Sequence, residues 1–350
     1  MKNWKLLFAA VMSFSLSPLA AIVGPNCDPC LEPCLECDLC DMEACSFFDG
    51  VTVYGDALYW RVRRSDLDYA LNYDTTNAIG QVYSVSPRYD GGFRLGFSKD
   101  CGCGEFEARY TYYQANNDNS ITNDAGFLAG TRLIGDLTSL SQGIIEFAKG
   151  AWNFELNELA FLAGHHFCPV TCIDMRVFGG FKTLFLKESF DTLYSTSVDI
   201  NEVSNKFDTL RQTIEMGSYG VNIGIEGSYF LRSCLSFYGN FSYDFLLGSV
   251  ERRYFYDNTD DGGQTFTNLA SLRDNSWRTI SVLNLAVGFQ YGIETFYCSD
   301  LIFSFGYELH HLINLADFMQ LQDLSGEINY DRNTNNSGID GVYVRLSAGF

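Results

Sequence analysis

Residues 218–229 read SYGVNIGIEGSY. Tyr219, Val221, Ile223, Ile225 and Tyr229 fall on one alternate set, and Ser218, Asn222, Glu226 and Ser228 on the other. Side chains along a strand point alternately to its two faces, so this stretch is a strand with one greasy and one polar side. Residues 235–247 repeat the pattern, with Leu235, Phe237, Phe241, Tyr243, Phe245 and Leu247 against Ser236, Asn240, Ser242 and Asp244. Residues 105–113 and 301–310 do the same, and alternation returns at 51–64, 89–99, 151–166, 173–187, 277–293 and 341–350.

Each segment is long enough for a tilted strand to cross a hydrocarbon layer, which takes about nine to eleven residues. The greasy sides are aromatic, as expected of girdles at lipid interfaces. Short connections (100–104, 167–172, 230–234, 294–300) alternate with long ones (65–88, 114–150, 188–217, 252–276, 311–340). Long structureless loops are improbable inside a compact soluble β-sandwich, whereas short turns at one end and long loops at the other are the rule in outer-membrane barrels. The expected fold is therefore all-β: a closed antiparallel transmembrane β-barrel of about 10 strands, or 12 if a further pair lies within 120–150 or 190–215.

Composition agrees. The 350 residues carry 43 Asp and Glu against 23 Lys and Arg, a formal charge of -20, which argues against a nucleic-acid partner. Aromatics at 15% argue against disorder. After the first twenty residues no apolar run reaches the length of a membrane-spanning helix.

Met1–Ala21 reads as a signal peptide: Lys2 and Lys5, an apolar stretch from Leu6 to Leu16, then Ser17, Pro18, Ala20 and Ala21. Residues 22–50 form a separate acidic segment with Cys27, Cys30, Cys34, Cys37, Cys40 and Cys45. Three C-x-x-C spacings would suggest zinc in a cytosolic chain, but export and the lack of a nearby His favour disulfides. The other cysteines, Cys101, Cys103, Cys168, Cys172, Cys234 and Cys298, all fall in short turns. On this topology all twelve face the periplasm, and all are disulfide candidates. The barrel occupies 51–350. Its last strand ends with Tyr343, Leu346, Ala348 and Phe350, the kind of terminal signal read by barrel assembly machinery.

Four stretches, DALYWRV (56–62), GGFRLGFS (91–98), FEARYTYY (106–113) and RVFGGFKTLFL (176–186), resemble the Legionella-type major outer membrane protein family, pore-forming barrels also found in chlamydia-like bacteria. The resemblance spans most of 51–350. It implies an outer-membrane porin passing ions and small solutes. The cysteine-rich segment is similar to disulfide-linked envelope proteins, which implies a second role in a cross-linked envelope.

The polar sides place Arg61, Arg63, Arg94, Arg109, Arg176, Lys182 and Arg345 in the lumen, with Glu105, Glu107, Glu155, Asp174, Glu226, Asp244 and Glu308. Buried charges must be paired or hydrated, so this set is a wet constriction or a mutually satisfied plug. About ten strands enclose little space, so any pore is narrow. The long connections are acidic (Asp118, Asp199, Asp257, Asp260, Asp261, Asp323), a solvated surface or a site of divalent-ion bridging to lipopolysaccharide. Asp257 to Gly262 is a poor calcium loop because its twelfth position is Asn268. His165, His166, His310 and His311 accompany no nucleophile motif. The expectation is a non-enzyme with no cofactor and no metal site.

Overall fold

The computed structural model describes residues 50–74, 79–101, 104–123, 127–132, 144–170, 172–198, 204–232, 234–260, 266–293, 300–316, 318, 320–324, 327–331 and 334–350. The signal peptide, the six cysteines of the amino-terminal segment, Cys103 and Cys298 lie outside the described residues, as do Asp199 and Asp261.

The strands in chain order are β1 (Val51–Arg63), β2 (Asp68–Asp74), β3 (Ile79–Ser84), β4 (Asp90–Cys101), β5 (Gly104–Thr122), β6 (Phe127–Gly130), β7 (Ile144–Val170) and β8 (Ile173–Val198). They continue with β9 (Ser204–Arg232), β10 (Leu235–Asp260), β11 (Phe266–Ile293), β12 (Asp300–Ala316), β13 (Gln320–Leu324), β14 (Glu327–Asp331) and β15 (Thr334–Gly349). Ten of them form an antiparallel ring in the order β1, β15, β12, β11, β10, β9, β8, β7, β5, β4. β1 pairs with β15 on one side and with β4 on the other, so every strand of the ring has two partners. A three-stranded sheet (β3, β2, β6) and the β13–β14 hairpin stand apart from it.

All ten alternating segments are strands of the ring, and their short connections gather at one end. Gly50 enters β1 with φ +72°, a conformation open to glycine, and its carbonyl accepts a hydrogen bond from the Asp100 amide. Cys101, Cys168, Cys172 and Cys234, all at this end, are disulfide-bonded.

The long connections differ from expectation. β8 to β11 run for 26 to 29 residues, so most of 188–217 and 252–276 is strand. The same holds for parts of 114–150, and among the described residues no additional strand enters the ring there; β6 joins the small sheet instead. The reason is chemical. The backbone ladder continues beyond the greasy segment, but the outward side chains turn polar, so alternation fades while pairing persists.

The outer surface shows where this happens. From Tyr229 to Tyr219 the outward row of β9 is exposed and apolar or glycine. Ten steps of about 3.4 Å at a tilt of about 40° cover about 26 Å of height, the thickness of an outer-membrane apolar band. Above it, Gln114, Glu155, Lys187, Glu215, Glu251 and Asn275 are successive register partners on β5, β7, β8, β9, β10 and β11. One rung of the ladder thus marks the upper edge of the band.

The inner surface changes in the opposite sense. On β10 the inward row begins Ser236, Asn240, Ser242, Asp244 and continues Leu246, Val250. On β8 it begins Asp174, Arg176, Lys182 and continues Leu184, Leu186. Leu246, Leu184 and Leu186 belong to a buried cluster with Leu58, Trp60, Leu156, Met216, Ile280, Val282, Leu312 and Ile339. The cluster extends up to Trp152, Phe190 and Tyr194, and takes in Tyr69, Ala70 and Leu128 of the small sheet. That sheet lies on the inner wall: the Tyr194 hydroxyl donates to the Tyr69 carbonyl (2.7 Å), and a Cβ at Gly150 would stand 2.9 Å from Tyr69 and Val85.

Candidate functional site

The inner rows bring charged residues from seven strands into one chamber at the short-turn end. Its cavity measures about 280 Å³ and its lining includes Arg94, Glu105, Glu107, Arg109, Glu158, Asp174, Arg176, Lys182, Glu226, Glu308 and Arg345. Asp100, at the rim of the same cavity, is exposed. Tyr54 lies across the wall where Gly96 leaves room; a Cβ there would overlap its ring at 2.0 Å.

The charges hold one another. Arg345 grips Asp56 with two nitrogens (2.7 and 3.0 Å), and Arg94 bridges Asp56 (2.9 Å) to Glu308 (3.0 Å). The Trp60 indole donates to the other Glu308 oxygen at 3.0 Å, tying the charged layer to the apolar one. On the opposite wall Arg176 reaches Glu107 (2.8 Å) and Glu105 (2.9 Å), and the Tyr54 hydroxyl donates to Glu107. Lys182 sits between Asp244 (2.6 Å) and Glu158 (2.9 Å), while Asn284 donates to Asp244 at 3.1 Å. Arg109 links the arcs through Glu107 (3.8 Å) and Glu158 (4.0 Å). Leaving any one of these buried charges unpaired would cost several kcal/mol, about 3–5 by comparison with other buried pairs.

Asp56 and Glu158 join the network without having been singled out by sequence, and His310, named there only among the histidines, stands 3.5 Å from Glu308. Asp56 was hidden because the inward row of β1 is otherwise aromatic and aliphatic: Tyr54, Leu58, Trp60, Val62. Three residues expected in the lumen face the other way. Arg61 and Arg63 lie on the outer row of β1 with exposed Val53 and Tyr59, and both pair with outward Asp340. Glu155 lies outside on β7, opposite the buried row of Trp152, Phe154 and Leu156. All three lie at the edge of the apolar band, where the polar side of a strand becomes the outer one. The remaining expected lumen charges, from Arg94 to Arg345, point inward. Of the terminal residues, Tyr343 is buried in the lumen, while Leu346 and Phe350 are exposed outside.

Above the band, ionisation follows exposed pairing. Hydrogen bonding from Arg253 holds the Glu251 carboxyl below the usual carboxylate range, and Glu251 raises Arg253 in turn. Burial pushes Asp68 of the small sheet up.

Over the chamber lies the apolar layer. The void at that level is about 10 Å³, lined by Trp60, Leu156, Leu184, Val282, Leu312 and Ile339 with Glu158 and His310. That is room for about one water molecule. Among the described residues the lumen is therefore a charged chamber shut above by an apolar septum. No helix among the described residues is long and apolar enough to cross a membrane.

Comparison with known families matches residues 48–350 to the model described as "Legionella pneumophila major outer membrane protein precursor". The chain belongs to this family. It is an outer-membrane β-barrel protein of the bacterial outer membrane. Solved structures with a similar course include the outer membrane protease OmpT from Escherichia coli, at 10% identity and TM-score 0.45, covering 88% of this chain and 100% of that one. A Pseudomonas aeruginosa FadL homologue follows at 6% identity and TM-score 0.26, covering 87% and 91%. The P. putida toluene transporter TodX has 7% identity and TM-score 0.21, covering 86% and 90%. Comparison with curated protein sequences finds no match.

Proposed function

We propose that this family member is a porin-like, non-enzymatic barrel for ions and small solutes, with its short-turn end toward the periplasm and its longer strands outside. The observation that carries the reading is the charged chamber of about 280 Å³ inside a ten-strand ring. The septum above it makes the resting state closed, so passive diffusion requires the apolar layer to part. Conductance in planar bilayers tests this. The wild-type barrel is expected to conduct rarely, and the folded double variant Trp60→Ala/Leu246→Ala to conduct steadily at ion scale. A folded double variant that never conducts would remove the porin reading. Steady porin-scale conductance of the wild type would instead remove the septum.

A second reading is favoured by the cysteine-rich segment before the barrel, whose six cysteines suit a protein linked into a disulfide-bonded envelope network. Non-reducing electrophoresis of whole envelopes should then show species that collapse to monomer on reduction; monomer alone without reductant rejects this reading.

A further inference from the structure

Just above the apolar band, four cations on adjacent strands each stand further out than the acid that holds them. Lys187 is 59% exposed and Glu215, 3.3 Å away, 37%. Arg211 is 62% exposed and Asp191, at 2.9 Å, 32%. Arg253 (52%) and Arg273 (69%) both grip Glu251, which is 20% exposed, at 2.5 and 2.8 Å. Arg253 and Arg273 are also direct cross-strand partners. Like charges in that position repel unless an anion lies between them, and Glu251 is the only anion the wall supplies to both among the described residues. Beneath the belt the outward row is greasy, with Phe185, Tyr219, Leu247 and Trp277 exposed. In a chain with net charge -20, a cation-outermost belt is not the default surface.

We propose that Lys187, Arg211, Arg253 and Arg273 dock the phosphate groups of glycolipid headgroups in the outer leaflet. The proposal rests on the reading that the short-turn end faces the periplasm. Guanidinium forks match phosphate oxygens two at a time, and cations at a membrane surface gain from anionic headgroups. The inner acids hold the forks in place so that less side-chain freedom is lost on contact. Exposed Trp277 sits at headgroup level, where aromatic rings anchor a protein to the interface. On the far side of the ring Arg63 repeats the arrangement, 60% exposed over a fully covered Asp340.

The test measures binding of the full-length barrel in neutral detergent to bisphosphorylated lipid A, to lipid A stripped of phosphate, and to inorganic phosphate. The variant replaces all four cations with Gln; Lys149→Gln serves as control, since Lys149 is held by a more exposed Asp118. The expected result is binding that needs the phosphates, falls about tenfold or more in the fourfold variant, and survives Lys149→Gln. Equal binding of the stripped lipid would overturn the proposal, as would an unaffected fourfold variant. Inorganic phosphate binding as tightly as the lipid would mark an anion site without headgroup specificity and overturn it too. A phosphate-free lipid result alone leaves the conductance test untouched, so the two readings fail separately.

Discussion

The lower and upper halves of this barrel differ on both walls. Below the rung of Glu155, Lys187, Glu215 and Glu251 the outer wall is Phe, Tyr, Val and Ile, and the inner wall is charged at its base and apolar near the rung, with Leu156, Leu184, Leu186, Met216 and Leu246. From the rung upward the outer wall carries Lys187, Asp191, Arg211 and Arg253, and the inner wall Trp152, Phe190, Tyr194 and Tyr254 beside buried Glu188 and Arg252. One backbone ladder runs through both. What changes is the solvent outside: lipid takes the apolar row below, and water takes the polar row above. A sheet standing in water must bury its greasy side, and in a ring the only place to bury it is the lumen. The septum straddles the upper edge of the band: Leu156, Leu184, Leu186, Met216 and Leu246 lie just below the rung, and Trp152, Phe190 and Tyr194 continue it above.

Three comparisons separate the halves, in falling order of effect. Lys182→Ala strands Asp244 and Glu158 in the chamber and should cost about 3–5 kcal/mol of unfolding stability in lipid vesicles, whereas Lys187→Ala on the outer wall costs about 1 kcal/mol or less. Equal losses would mean that the chamber is as wet as the surface. Next, Ile223→Arg places a charge in the lipid band and should cost about 2–4 kcal/mol, while Thr209→Arg on the same outward row above the band, opposite Asp257 and Leu193, stays within about 0.5 kcal/mol. If Thr209→Arg proved as damaging, the water line would have to move up β9. The smallest effect is that of salt. Raising ionic strength to about 1 M shortens the screening length to about 3 Å and should erase the contribution of the Glu215–Glu251–Arg253 ladder, while leaving the loss caused by Lys182→Ala unchanged.

The same change of solvent explains what the sequence revealed. All ten strands of the ring were legible because each has a stretch in the lipid band where greasy and polar residues alternate, as at 218–229. Lumen charges such as Arg94, Glu107 and Lys182 were legible for the same reason: they lie below the rung. Arg61, Arg63 and Glu155 were assigned to the wrong wall because they lie at the edge, where polarity no longer reports inside or outside. The upper strands looked like loops because residues such as Thr209, Arg211, Thr213 and Glu215 on β9 break the greasy row without breaking the hydrogen-bonded ladder. The septum left no distinctive mark, since Leu246 follows Phe245 and precedes Leu247, and a run of three apolar residues does not say which of them faces the lumen.

The most direct test is accessibility at four reporter positions, with the native disulfides intact: Asn240→Cys, Phe241→Cys, Val250→Cys and Arg253→Cys. A water-soluble thiol reagent should reach 240 through the chamber and 253 from outside, a lipid-dissolved reagent should reach 241, and 250 should resist both. Labelling of 250 by the water-soluble reagent as fast as 253 would show an open aqueous pore through the septum and contradict the account.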